Sequence, residues 1–404
     1  MIKPAECFPE KAFCEKLVRV LNDDRKRMYV KMKKVIIVGA GILGASTAYQ
    51  LAKSGAEVII VDRRDKGQAT AAAAGIVCPW VSQRRNQAWY QLAKSGARFY
   101  PSLIENLKQD GETNTGYAKV GAISLHTDQQ KLKAMEKRAL KRKEDAPEIG
   151  ELLPLTPEQT RKAFPPLNEG YEALFIGGAA RVDGRALRDA LLRAAQKNGA
   201  VLLYGDAVLR YEGATVIGVQ VEEEEYLSDS VIVCAGAWAN SLLKPLGVEM
   251  QVSFQKAQII HLEIPNHDTS KWPVVMPQSD QYLLAFDEQR IVAGATHENT
   301  EQLDNRVTAV GLNEVFQKAL DTAPGLGNST FVEARVGFRP YTPGFLPVIG
   351  AVPGWEGIIF ANGLGASGLT MGPYIGSQLA KLALGQELEI NLDLYPVSGA
   401  IKET

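Results

Sequence analysis

Lys34-Val35-Ile36-Ile37-Val38-Gly39-Ala40-Gly41-Ile42-Leu43-Gly44 decides the fold. Lys34 to Val38 reads as a short buried strand, the glycines as a tight turn, and Ala45 to Lys53, ending before Gly55, as a helix. Gly39 permits the turn, Gly41 lets the backbone approach a pyrophosphate, and Gly44 lets helix and strand pack closely, while the positive end of the helix attracts phosphate. A second apolar strand, Glu57 to Val61, ends at Asp62, 18 positions beyond Gly44, where a carboxylate can accept hydrogen bonds from an adenosine ribose. Arg63 and Arg64 could suit a phosphorylated ribose, but Asp62 would repel one, so Arg64 is expected in solvent and the ribose unphosphorylated. Strand, turn, helix, strand and terminal acid together predict a dinucleotide site, without separating FAD from NAD.

The rest of the composition sets limits. A chain of 404 residues, 46% hydrophobic and 23% charged, can hold one large core or two domains. Its formal net charge of -1 suggests neither nucleic acid nor an anionic membrane as partner. Cys7, Cys14, Cys78 and Cys234 form no C-x-x-C pair, and His126, His261, His267 and His297 are isolated, so no metal is assigned. No uninterrupted apolar run reaches the roughly 18 residues of a membrane span. A cytoplasmic location is expected; Lys131 to Lys143, a basic helical stretch, leaves a peripheral contact with the inner face of the membrane open. Residues 1–32 read as an amino-terminal extension without a motif, either a helix or an overcalled start, the latter if translation begins at Met28 or Met32. Lys33 and Lys34 before an apolar run superficially imitate a signal peptide, which the glycine spacing argues against.

Downstream of Asp62 comes Gln68-Ala69-Thr70-Ala71-Ala72-Ala73-Ala74-Gly75-Ile76, a run of small residues over which backbone can approach a ligand closely. With this segment the sequence resembles the D-amino acid oxidase superfamily, and within it glycine oxidase and the bacterial D-amino acid dehydrogenases. The resemblance covers nearly all of the chain after residue 32. It implies non-covalent FAD as cofactor, with Ile42, Leu43, Asp62, Arg63, Ala69, Thr70, Ala74, Gly75 and Ile76 around it. Asp183 to Asn198 reads as a helix and Val201 to Tyr204 as a strand, and Val208 stands where the family contacts adenine through its backbone. Val231 to Ala235 then enters Gly236-Ala237-Trp238, which looks like the family's adenine-side turn.

Near the carboxyl end, Asn362-Gly363-Leu364-Gly365-Ala366-Ser367-Gly368-Leu369-Thr370-Met371-Gly372 precedes a helical pattern from about Tyr374 to Leu384. A helix start can direct backbone N–H groups at a flavin carbonyl and stabilise negative charge on the reduced ring. Gly363 to Thr370 are accordingly expected at the cofactor. An NAD-linked dehydrogenase needs only the first motif and leaves this loop unexplained.

Arg335-Val336-Gly337-Phe338-Arg339-Pro340 contains two candidates for a substrate carboxylate, and alternation puts both on one side of a strand. The resemblance selects Arg339, since the family's carboxylate-binding arginine lies just before this proline. A guanidinium holds a carboxylate through two parallel hydrogen bonds and stays charged in an apolar pocket. Tyr282 to Phe286 and Ile291 to Thr296 read as adjoining strands around a polar turn, and a similar family tyrosine makes Tyr282 the second candidate for the catalytic pocket. Ala366 stands where glycine oxidase carries another substrate-side arginine, and Leu364 where many relatives have histidine. Residues 335–350 lack the cysteine to which covalent-flavin sarcosine oxidases attach their ring.

The expected fold is α/β: a discontinuous Rossmann-like FAD-binding domain from residues 33–97, 165–245 and 333–398, with an inserted mixed-sheet α+β substrate domain from 98–164 and 246–332. The expected reaction is oxidative deamination of a small amino acid by hydride transfer from its α-carbon to flavin, with a D-amino acid preferred and a glycine or sarcosine-type amine as alternative. Oxygen or a quinone would reoxidise the flavin, and a homo-oligomer is left open. A non-catalytic flavin-binding subunit of a larger dehydrogenase is the competing class.

Overall fold

Around the opening motif the computed structural model, which describes residues 32–402, builds a sheet buried on both faces. Lys34–Val38 runs parallel to Glu57–Asp62 on one side and to Ser230–Val233 on the other. Val201–Tyr204 and Ile358–Asn362 extend the sheet in parallel outward, and Val348–Ala351 closes one edge antiparallel. Val35, Ile36 and Ile37 have no solvent exposure, which explains why the strand reads as an unbroken apolar run rather than an alternating one. The segment 1–31, with Met28, Cys7 and Cys14, lies outside the described residues.

Ile42–Lys53 packs against two further helices, Gly184–Lys197 and Gly368–Leu384. Gly184–Lys197 starts where Asp183 accepts hydrogen bonds from the backbone N–H groups of Arg185 and Ala186, both at 3.0 Å, a side-chain cap on otherwise unpaired donors. Gly368–Leu384 begins well before Tyr374, the start expected from its periodicity. Pro373 explains the difference. Lacking an N–H, proline cannot bond the carbonyl four residues back, which argues for a helix start at or near it. That carbonyl belongs to Leu369, and the Tyr100 hydroxyl donates to it from the long helix Gln87–Gln109, so the helix continues through the proline.

A second, mixed sheet, with nine strands among the described residues, runs Glu298–Asn299, Ser253–Glu263, Arg290–Gly294, Tyr282–Ala285, Val274–Met276, Ala122–His126, Glu172–Ile176 and Leu152–Leu155, with Thr330–Tyr341 paired to the other edge of Ser253–Glu263. The hairpin expected around residues 287–290 is present, with Tyr282 opposite Gly294. Two of the domain boundaries expected from sequence cut through this sheet. Glu172–Ile176, inside segment 165–245, pairs with Ala122–His126, and residue 333 falls within Thr330–Tyr341. Pairing between segments remote in sequence leaves no mark on local periodicity, so the sheet joins pieces that the expected boundaries separate. Among the described residues, no helix is long and apolar enough to cross a membrane, and Gln129–Lys143 buries Leu132, Met135 and Ala139 while its lysines lie outward.

Candidate active site

The three glycines of the opening turn serve two purposes. Gly39 has φ +103°, and a Cβ there would lie 2.5 Å from the Cys234 carbonyl oxygen; a Cβ at Gly44 would lie 1.8 Å from the Gly39 carbonyl. Those two are demanded by packing. Gly41 is different: a Cβ would come no closer than 3.5 Å to any protein atom, the nearest being Thr70 Oγ1. Its missing side chain leaves room in a cavity of about 490 Å³ that begins at this turn. Ile42 N donates to Thr70 Oγ1 at 3.0 Å, tying the turn to the small-residue segment.

Gly39, Gly41, Ile42, Leu43, Asp62 and Arg63 line one end of the cavity. The buried Asp62 carboxylate accepts from Ala40 N and Arg64 N, each at 2.7 Å, and from Gln68 Nε2 at 2.9 Å. Arg63 is engaged by Asp65 and Asp206 at 2.9 and 3.2 Å. Arg64, expected in solvent, is exposed but lies with its guanidinium carbon 3.3 Å from the centre of the Tyr204 ring, outside the cavity.

Ala69, Thr70, Ala74 and Ile76 line the middle of the cavity, with Val208 and Gly236. Gly75 does not: a Cβ there would lie 2.3 Å from Val182 Cγ1, so its role is the pairing of Ala74–Val77 with Ala180–Asp183. In the carboxyl-terminal loop, Leu364, Gly365, Ala366, Gly368 and Leu369 reach the cavity. Gly363, Ser367 and Thr370 do not line it. Gly363 has φ +81° against Thr342, and Thr370 donates to the Ile76 carbonyl at 2.8 Å, which closes the loop over the small-residue segment.

A continuous groove with small-residue walls fits an extended, flat dinucleotide. At Gly236, Gly365 and Gly368 a Cβ would meet nothing nearer than 3.9 Å, so these positions, like Gly41, leave room that no protein atom uses. Cys234 also lines the groove, and burial pushes its thiol up to about 12, so it stays an un-ionised thiol rather than a nucleophile that could attach a ring.

Arg339 and Tyr282 share the cavity although 57 residues separate them. Thr330–Tyr341 is a single strand, and Arg335 and Arg339 do occupy alternate positions on it, opposite Ile259 and Gln255. Arg335 is neutralised by Glu333, with Nε 2.8 Å from the carboxylate, and does not line the cavity. Arg339 Nη1 is buried with no hydrogen-bond partner, and its guanidinium faces the cavity lining. Burial raises the pKa of Tyr282, and although neighbouring Arg339 pulls it back, the phenol remains protonated.

The lining also includes titratable residues that local sequence patterns do not mark, among them His297 and Asp280. His297 Nδ1 lies 3.2 Å from Asp280 Oδ2, and Asp280 Oδ1 is 3.3 Å from Lys318 Nζ. Burial lowers the His297 pKa and Arg339 lowers it further, with Asp280 opposing; burial would raise that of Asp280, but Lys318 and His297 outweigh it and hold it low. An isolated histidine carries no periodic signal. A clue was nevertheless present: His297 directly follows Gly294-Ala295-Thr296, the strand end that faces Tyr282.

The chain as a whole is similar to known proteins. The family model for FAD dependent oxidoreductases, DAO, matches residues 34–382. The chain is 62% identical to an uncharacterized oxidoreductase, YurR, of Bacillus subtilis (strain 168), over 92% of this chain and all of that protein. It is 30% identical to the glycine oxidase of Pseudomonas aeruginosa, over 91% of this chain and all of the relative. The crystal structure of iminodiacetate oxidase from Chelativorans sp. BNC1 superposes with a TM-score of 0.87 at 46% identity, covering 90% of this chain and 98% of that one. The matched span takes in both glycine loops, the second of which an NAD-linked reading leaves without a purpose. The chain belongs to the DAO family of FAD-dependent oxidoreductases, with FAD as its cofactor.

Proposed function

We propose that the enzyme oxidises small N-substituted glycines, secondary amines bearing a carboxylate on the α-carbon side, ahead of D-amino acids. The observation that carries the reading is Arg339 Nη1, a buried guanidinium nitrogen with no protein partner, in a cavity whose remaining length suits a dinucleotide. A half-buried guanidinium with one nitrogen buried and unpaired and no carboxylate partner is costly, and a ligand carboxylate supplies the missing charge. Of the two substrate types weighed from sequence, the glycine or sarcosine type is favoured because the relative at 46% identity is named as an iminodiacetate oxidase, whose substrate is itself an N-substituted glycine. Ala366, in place of a second arginine, leaves space beside the carboxylate site instead of another charge.

FAD would be held by the Gly39–Gly44 turn and the amino terminus of Ile42–Lys53 at its pyrophosphate, by Asp62 at the ribose, by the backbone at Val208 and Gly236 on the adenine side, and by residues 364–369 at the ring. When bound it supplies the hydride acceptor. Arg339 fixes the substrate carboxylate and thereby the α-carbon; Tyr282 supports that carboxylate as a neutral donor. Orientation of the substrate in the cavity carries most of the rate. The imine product hydrolyses in water to an oxo acid and an amine. In this reading the six-stranded sheet and its helices carry the cofactor, and the nine-stranded sheet carries the substrate side.

The test is anaerobic bleaching of the purified yellow protein against sarcosine, iminodiacetate, glycine, D-alanine and D-proline, followed by admission of air. Sarcosine and iminodiacetate should bleach the flavin faster than the D-amino acids. Bleaching by D-amino acids alone would overturn the substrate preference. Rapid recolouring in air identifies an oxidase, slow recolouring a dehydrogenase with another acceptor.

A further inference from the structure

The cavity contains a titratable pair that the hydride step leaves unused. His297 and Asp280 stand beside Arg339 and Tyr282 in the lining, with side chains 35% and 46% exposed, so the pair sits where the cavity opens to water. Nδ1 lies 3.2 Å from Asp280 Oδ2, an approach that favours the ring proton on Nδ1 when the imidazole is neutral. A neutral imidazole in this tautomer carries a lone pair on Nε2, at the far edge of the ring. Asp280 is anchored in turn by Lys318 at 3.3 Å, which also pairs with Glu314 at 2.8 Å.

The groups around the ring divide by sign. Arg339 and Lys318 oppose a positive charge on it, Asp280 favours one, and Tyr282 is neutral. With burial added to the first two, the imidazole is uncharged at neutral pH and able to accept a proton. The neighbouring groups are poorer acceptors: Arg339 is a cation, the Tyr282 phenol is already protonated, and Asp280 is a weak base held low by Lys318 and His297. An amino acid in neutral water carries an ammonium group, whose nitrogen has no lone pair to drive hydride from the adjacent carbon.

We propose that His297 Nε2 takes the ammonium proton of a substrate whose carboxylate is held by Arg339, with Asp280 fixing the ring and balancing its charge. The N–H bond of the ammonium breaks, its electron pair stays on nitrogen, and a new N–H bond forms at Nε2. The proton stays on Nε2 until the substrate has been oxidised, so the reacting complex keeps the proton it bound with, and it passes to water at the cavity mouth only afterwards. The inference rests on the amine-oxidation reading but not on which amine is preferred.

The test is the pH dependence of kcat/KM in the flavin-loaded wild type and in His297→Asn and His297→Gln, using whichever of the five amines above reduces the flavin fastest. In the wild type, log kcat/KM should be level from pH 7 to 9, because the ammonium form is itself productive. In both variants only the free amine reacts, so the value should climb one log unit per pH unit and stand about 100-fold lower at pH 7 than at pH 9. The bound-flavin spectrum verifies folding, and the glutamine variant serves if asparagine loses FAD. A unit slope already present in the wild type, or a level profile retained in the variants, overturns the proposal. If only D-amino acids bleach the flavin, the substrate preference fails and the slopes still judge His297; if no amine does, both fall.

Discussion

Arg335 and Arg339 occupy alternate positions on one strand, yet only Arg335 has a carboxylate partner: its guanidinium meets Glu333, whereas Nη1 of Arg339 is buried and unpaired. Two residues of one type, four positions apart, have opposite electrostatic situations. One is paired within the strand, and the other is the arginine proposed above to hold the substrate carboxylate.

Replacing Arg339 should therefore damage turnover without damaging the fold. Losing charge-assisted hydrogen bonds to a carboxylate costs about 3 kcal/mol, or roughly 100-fold in kcat/KM, and appears mainly in KM. Arg339→Ala should retain its flavin absorbance. Arg335→Ala should leave KM within a few-fold and lower thermal stability instead. Steady-state kinetics on both variants check this; near-normal KM in Arg339→Ala counts against the carboxylate site.

The division of labour among the glycines is open to a paired substitution. Gly41→Val should give a folded, colourless protein, because the new side chain projects into the cavity and not into protein. Gly44→Val should fail to accumulate, because its Cβ would lie 1.8 Å from the Gly39 carbonyl oxygen. The ratio of visible to ultraviolet absorbance and the circular dichroism of each distinguish loss of cofactor from loss of fold.

Tyr100→Phe should destabilise the protein by about 1–3 kcal/mol, the cost of leaving the Leu369 carbonyl buried and without a partner. Because that carbonyl belongs to the first turn of Gly368–Leu384, flavin release should also quicken. Urea unfolding and the rate of flavin loss on dilution measure the two effects; unchanged values in both would mean that the helix start does not depend on Tyr100.

His261 predicts an acid sensitivity. Both its ring nitrogens are buried without hydrogen-bond partners, with Glu333 4.0 Å from Nδ1, and burial, reinforced by Arg335 and opposed by Glu333, pushes its pKa down to about 4. The unfolded chain takes up the proton near pH ~6.5, so between there and about pH 4 the unfolded state binds more protons and stability falls as pH falls. The contribution lost by pH 4 is about 3 kcal/mol. Comparing the urea midpoints of wild type and His261→Phe at pH 7.5 and pH 5 checks it: the variant should lose less on acidification.

The amino-acid sequence by itself determined the nucleotide half of this protein. Strand, turn, helix and strand from Lys34 to Asp62 follow from apolar periodicity and from glycine's permitted angles, which act within a few residues. Resemblance pointed to Arg339, though alternation could not separate it from Arg335. Tertiary structure decided what depends on partners brought from elsewhere in the chain. Glu333 neutralises one arginine while the other keeps a buried, unpaired Nη1; Tyr100 carries a helix through Pro373; Asp280, 17 residues before His297, converts an apparently solitary histidine into half of a pair. Local backbone preferences are written in adjacent residues, whereas charge, burial and hydrogen-bond satisfaction belong to neighbours in space, and those exist only once the chain has folded.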